Sequence, residues 1–376
     1  MHTSRAHTVV GRVLSGILAA GLLIPLLTTT PAHAVDPGYE AKPGAHFETP
    51  RNSKLTNLLL RNIENTPSGA WIRVVAWSFT NGAIADALSD AADRGVVVRV
   101  LMARGQMGET ATRLQTALAA HDQSWLRGSR NSARGAKRFA GKYTTLHQKS
   151  WTFSTTGASR RVSIVASANP TDNATDVQFM DAIQFVGNDR VYDKLRTVFE
   201  KQTRDKKVPK PFIRWGSKHA ALIFSPWNSP TMADPVVGRI ENLPPHARVR
   251  IANSAWYGPR GARIAQAVAA HERGQRGRDV WVLASKPMGE DVRSILRGAG
   301  IPVHKGWWSK RRYHHHKYMT ARWRGRGGDP VTRVWAGSEN WSEPPRGNDE
   351  LVAMVKSFAT HEKYVAFFDK VAGLPD

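Results

Sequence analysis

Cysteine is absent from the 376 residues, which excludes a disulfide framework, a thiol nucleophile and a thiolate metal site. Stability must come from packing alone. Long apolar runs are scarce too. The one near the amino terminus, Val13 to Leu27, falls short of the roughly 20 residues that span a bilayer. Arg5 and Arg12 precede it and "PAHA", Pro31 to Ala34, follows it with an Ala-x-Ala cleavage site. Residues 1–34 therefore read as a signal peptide, with secretion to the outside and a mature chain beginning near Val35.

The third shortage is of acidic residues: 30 Asp and Glu stand against 54 Lys and Arg, a formal charge of +24, of which only Arg5 and Arg12 fall in the leader. A field of one sign concentrates ligands of the other. The expected partner is a phospholipid substrate at a membrane surface, with nucleic acid bound through the basic surface as the alternative. No stable protein partner is expected.

What the sequence does have is a repeat. "WIRVVAWSF", Trp71 to Phe79, alternates like a half-buried strand. After Asn81-Gly82, "AIADALSDAADRG" sets Ile84, Ala87, Leu88 and Ala91 on one helical face, and "VVVRVLMA", Val96 to Ala103, reads as a buried strand. Strand, helix, strand implies a parallel pairing. About 175 residues on, "RVRIANSAWY" from Arg248, "ARIAQAVAAHERG" from Ala262 and "DVWVLAS" from Asp279 repeat the unit, a period far longer than that of a solenoid. "FETP" at Phe47 answers "IFSP" at Ile223, and "DVQFMDAIQF…" from Asp176 answers "ELVAMV…" from Glu350. The expected organisation is a first repeat at 35–202, a basic proline-containing linker at 203–219 and a second repeat at 220–376. The fold class is α/β, two similar subdomains each with a mixed sheet flanked by helices.

The chemistry falls at matching places. "TLHQKSWTF" in the first copy and "YHHHKYMTA" in the second both contain His-x-Lys, and Ser-x-Asn follows in each, His147 preceding Ser167 by 20 residues and His315 preceding Ser338 by 23. In a strand, residues i and i+2 share a face, so His147 projects with Lys149 and His315 with Lys317, while His314 and His316 point away as partly exposed strand residues. A zinc site is disfavoured, since three adjacent histidines cannot face one ion and Lys317 would repel it. Trp307 and Trp308, amid basic residues, are candidates for contact with lipid headgroups or bases.

This paired constellation resembles the phospholipase D superfamily, from about Phe47 to the end of the chain. The resemblance implies one active site between the two halves and phosphodiester cleavage without metal or other cofactor. The departure is at the place five residues after each Lys, where the family usually has Asp and this chain has Ser154 and Arg322. Physically, Lys149, Lys317, Asn169, Asn340 and the hydroxyls of Ser167 and Ser338 can surround a phosphoryl group and offset its charge. One imidazole can attack phosphorus to give a phosphohistidine while the other serves the leaving oxygen. Asp176 and Glu350, following each Ser-x-Asn, are the candidates to fix the two tautomers. The resemblance implies that His147 is the nucleophile and His315 the acid and base; the residues alone leave the roles interchangeable. The expected function is a secreted phospholipase D-type phosphodiesterase. A metal-independent nuclease of the same superfamily and a non-catalytic binder of anionic surfaces are the alternatives.

Overall fold

The computed structural model describes residues 35–135, 138–139, 142–273 and 279–375. The leader and its cleavage site lie outside them. In chain order the first half contains β1 (Gly44–Glu48), α1 (Lys54–Glu64), β2 (Trp71–Ala76), α2 (Gly82–Asp93), β3 (Val97–Ala103), α3 (Glu109–Leu118), β4 (Trp125–Ser129), a hairpin of β5 (Arg138–Phe139) and β6 (Lys142–Tyr143), β7 (Ser150–Thr156), β8 (Ser159–Ala166), α4 (Asp172–Val177), β9 (Gln178–Phe185) and α5 (Asp189–Gln202). The second contains β10 (Ile213–Gly216), β11 (Ala220–Phe224), α6 (Pro235–Glu241), β12 (Arg248–Asn253), α7 (Gly258–Arg273), β13 (Val280–Ala284), α8 (Glu290–Gly298), β14 (Val303–Lys305), β15 (Trp307–Ser309), β16 (Arg312–His314), β17 (Lys317–Arg324), β18 (Pro330–Gly337), β19 (Leu351–Val355) and α9 (Phe358–Ala372).

The repeated strand-helix-strand units form as the periodicity implies. Asn81 caps α2 by accepting from the Ile84 N–H, as short polar side chains do at helix starts. Gly95 ends the turn after it at φ +90°, where a Cβ would lie 2.7 Å from Ser68 Oγ, so only glycine fits. β2 then pairs in parallel with β3, and β12 with β13.

Two mixed sheets result. One runs β9-β8-β7-β2-β3-β4 with β1 beside β9; the other runs β11-β19-β18-β17-β12-β13-β14, extended at its edge by β10. Strand order and pairing directions match, and so does register: Val75 lies opposite Ser150 and Ala252 opposite Tyr318, which makes Lys149 and Lys317 equivalent. One apolar core lies between the first sheet and α1–α3, another between the second sheet and α6–α8, and a third joins the remaining faces of both sheets with α5 and α9. A fold built this way needs no covalent staple, because three sets of fully buried Val, Ile, Leu and aromatic side chains each contribute roughly 1.5–3 kcal/mol per large residue.

Two segments behave differently from the reading above. The stretch 203–219, expected as a linker, donates residues 213–216 to the second sheet as β10. β15 and β16, in sequence part of the second half, join the first sheet through β9 instead. The chain carrying the second motif thus crosses from one sheet to the other at His315 and His316, the two residues between β16 and β17.

Candidate active site

Each motif strand reaches across to the other half. The His147 N–H donates to the Asp349 carbonyl at 2.9 Å, and the His315 N–H donates to the Phe179 carbonyl at 2.8 Å. Equivalent residues make both bonds. Each lysine then folds back on its own strand, Lys149 Nζ donating to the His147 carbonyl at 2.6 Å and Lys317 Nζ to the His315 carbonyl at 2.7 Å. Both ammonium groups are buried, so Lys149 is lowered to about 7 by desolvation, with Glu350 opposing, and Lys317 is lowered well below its ordinary range by desolvation and by Lys149. A bound phosphate would restore both charges, since an anion favours the protonated form.

The imidazoles differ. His147 Nδ1 donates to both carboxylate oxygens of Glu350 at 2.9 Å, which leaves Nε2 with its lone pair exposed to the cleft. Burial lowers the imidazole, Glu350 opposes that and Lys149 adds to it. Burial would raise Glu350, but the neighbouring imidazole, its hydrogen bond and Lys149 outweigh it, and the carboxyl is held below its usual range. Ser338 Oγ donates to Glu350 Oε2 at 2.5 Å and Asn348 Nδ2 to Oε1 at 3.2 Å. Trp77 stands edge-on to His147, ring centres 5.7 Å apart. Among the described residues His315 Nδ1 meets no carboxylate; it donates to the Ser167 carbonyl at 3.1 Å. Desolvation, Lys317 and Lys149 push His315 well below its ordinary value.

Several expectations need correction. Asp176 does not orient His315: it lies exposed on α4, where the second half has a 3₁₀ turn at Pro344–Arg346. Through the pairings of Ala166 with Ala182 and Gly337 with Val352, the true counterpart of Glu350 is Met180. The serine hydroxyls do not face the cleft. Ser167 Oγ bonds the backbone of Asp181 and Ser338 Oγ that of Leu351 as well as Glu350, both residues being fully buried. They brace the strands beneath the site. Asn169 and Asn340 are better placed. Asn169 Oδ1 accepts from the Ser78 N–H and Asn340 Oδ1 from Ser254 Oγ, which leaves their NH₂ groups as the donors for a ligand.

His314 and His316 are not exposed. Both are 0% accessible, their rings 5.6 Å apart and nearly parallel. A Cβ on Gly306 would fall 2.2 Å from His314, and His316 packs edge-on to Tyr318 and Phe367. Of the three histidines only the middle one keeps access to solvent. Burial drives His314 to about 3 and His316 well below 6.5, so both stay neutral in the fold. An unfolded chain protonates them near 6.5. Stability should therefore fall as pH drops below 6.5, at about 1.4 kcal/mol per pH unit for each such histidine. Urea midpoints between pH 7 and 4 check this, and His314→Gln should flatten the slope by about one proton. Trp308 is also no free surface ring: it packs on Phe179 at 5.5 Å, and Trp307 packs on Tyr313 under Lys286.

The family whose model matches residues 59–203 is described as cardiolipin synthase, phospholipase D-like domain. Over that stretch the chain is similar to phospholipase D-like domains. Phosphatidylserine synthase from Haemophilus influenzae has a similar fold, with TM-score 0.57 and 12% identity over 89% of this chain and 87% of its own. Polyphosphate kinase from Porphyromonas gingivalis is similar with TM-score 0.55 and 12% identity over 88% of this chain. The present chain spans 50% of that kinase. No curated protein matches the sequence.

Other residues around this site were not singled out by motif. Asp181 sits in the wholly buried β9, its Oδ2 accepting from Tyr364 OH at 2.7 Å, and desolvation raises it to about 6 against the pull of Tyr364, Ser167 and Lys317. A lone carboxylate inside the apolar run "QFMDAIQF" was the signal. Arg260, fully buried, binds Asp234 and Glu339 at 2.8 Å and donates to the Asn340 and Ser342 carbonyls, fixing the second Ser-x-Asn loop. Arg134 and Asp349 form a second buried pair, at 2.8 Å, across the two halves. At the places of the usual Asp, Ser154 Oγ accepts from the Trp71 N–H and Arg322 reaches Glu362 at the surface.

Proposed function

We propose that this protein is a secreted phospholipase D-type phosphodiesterase that hydrolyses the headgroup-side phosphodiester of phospholipids through a phosphohistidine. The observation that carries the reading is the His147–Glu350 pair, formed between the halves and flanked by both motif lysines. Glu350 holds the Nδ1 proton, and His147 Nε2 attacks phosphorus. The N–P bond forms as the bond to the headgroup oxygen breaks. Lys149, Lys317 and the amides of Asn169 and Asn340 take the charge on the non-bridging oxygens. His315, protonated once an anion offsets the two lysines, gives its Nε2 proton to the leaving alcohol. It then removes a proton from water, whose oxygen displaces His147 from phosphorus. The description of the matching family and the fold shared with a phosphatidylserine synthase support a lipid substrate. Export rests on the leader.

The charge of +24 favours a second reading, a nuclease, because a polyanionic backbone binds such a surface tightly. Phosphatidylcholine or phosphatidylethanolamine vesicles and plasmid DNA, each with EDTA present, separate the two. Headgroup release unaffected by chelation is the expected result. DNA cleavage without choline or ethanolamine release would transfer the assignment to the nuclease, and activity lost to EDTA and restored by zinc would refute both.

A further inference from the structure

The matching registers give most residues of the second sheet a counterpart in the first, and at one corner the two halves differ in kind. Asn62 of α1 precedes β2 by the same nine residues that separate Arg239 of α6 from β12. In the first half Asn62 Nδ2 donates to Gln184 Oε1 at 3.0 Å, both side chains are buried, and Val162 and Ile164 seal the rest of the corner. In the second half Met354 stands for Gln184, Arg333 for Val162 and Trp335 for Ile164. α6 has seven residues where α1 has eleven, so one helical turn of cover is missing.

The result is a cavity of ≈ 770 Å³ walled by Arg214, Arg239, Arg333, Trp323, Trp335 and Met354 among others, a volume typical of small-molecule sites. Among the described residues Arg239 Nη2 has no hydrogen-bond partner; it is buried beside the cavity, where the Glu339 and Asp234 charges attract the guanidinium, which lies 5.4 Å over the Trp335 ring. A charged donor shut away from water without an acceptor is costly, and a ligand can supply the acceptor. The one carboxylate on the wall, Asp234, is already taken by Arg260 through two bonds and by the Val236 N–H. The cavity is therefore cationic at one set of residues and apolar at another.

We propose that this cavity binds an anionic amphiphile, its acidic head on Arg239 and Arg333 and its alkyl body along Trp323, Trp335 and Met354. This is a second site, independent of the reaction assigned above. Dodecyl phosphate below its micellar concentration is the probe, with dodecanoate and inorganic phosphate beside it, read by equilibrium dialysis and tryptophan fluorescence on the mature chain. Dodecyl phosphate should bind at least tenfold more tightly than inorganic phosphate. Equal binding of dodecanoate would support a site for any anionic head, and its exclusion a site for phosphate monoesters. Arg333→Val, which installs the first half's residue, should weaken dodecyl phosphate at least tenfold while turnover of a soluble diester is unchanged, and Arg239→Asn should do the same to binding. Lys149→Ala should retain wild-type affinity. The proposal is overturned if Arg333→Val binds like wild type, if Lys149→Ala abolishes binding, or if the alkyl chain adds nothing to the affinity of phosphate.

Discussion

His147→Ala and His315→Ala are each expected to lower turnover by about 10⁴-fold or more, with the double variant little worse than either, because residues that act as one unit are not additive. Both variants should fold, since each imidazole keeps part of its surface in solvent and neither fills a core. The two losses differ in kind. Acid quench should trap phosphate on the protein in His315→Ala when the leaving group is a nitrophenolate that departs without a proton, and none in His147→Ala. Phosphate mapped to His315 would reverse the roles, and full activity in either variant would refute the site.

Glu350→Gln is the second large expected effect. The carboxylate accepts the His147 Nδ1 proton and bonds Ser338 and Asn348. An amide can instead turn its NH₂ toward the ring, which places the proton on Nε2 and removes the attacking lone pair. Loss of such a carboxylate costs up to about 10⁴-fold in turnover where an imidazole's tautomer matters. The expected result is a 10²- to 10⁴-fold fall in kcat with KM changed by less than about threefold. Asp176→Asn, on the exposed face of α4, is the control and should match wild type within about twofold. A Glu350→Gln enzyme with normal kcat would remove the orienting role.

These expectations show where a sequence could be read and where it could not. The repeat was legible because strand and helix periods recur in both halves with paired His-x-Lys and Ser-x-Asn. Glu350 was found for the same reason. Asp176 was misplaced because it is the next acidic residue after the Ser167 loop, whereas strand register puts Met180 at the place of Glu350. His314 and His316 misled in another way: a polar residue is mostly exposed by default, and only the crossing of the chain between two sheets buries this pair. Asp349, Arg134 and Arg260 carry no motif at all, because buried ion pairs join residues remote in sequence.

The exchange of backbone bonds at His147 and His315 gives the molecule the logic of a dimer whose subunits share one peptide chain. In a true homodimer one substitution alters both copies of a site at once, so an active centre on the twofold axis stays symmetric. Joined in one chain, the halves can change singly. One histidine here has kept its carboxylate while the other faces the place of a methionine, and one half has a sealed corner where its twin has an open, arginine-lined cavity. Separately produced halves should accordingly be inert alone, because neither contains both the imidazole and the acid that orients it.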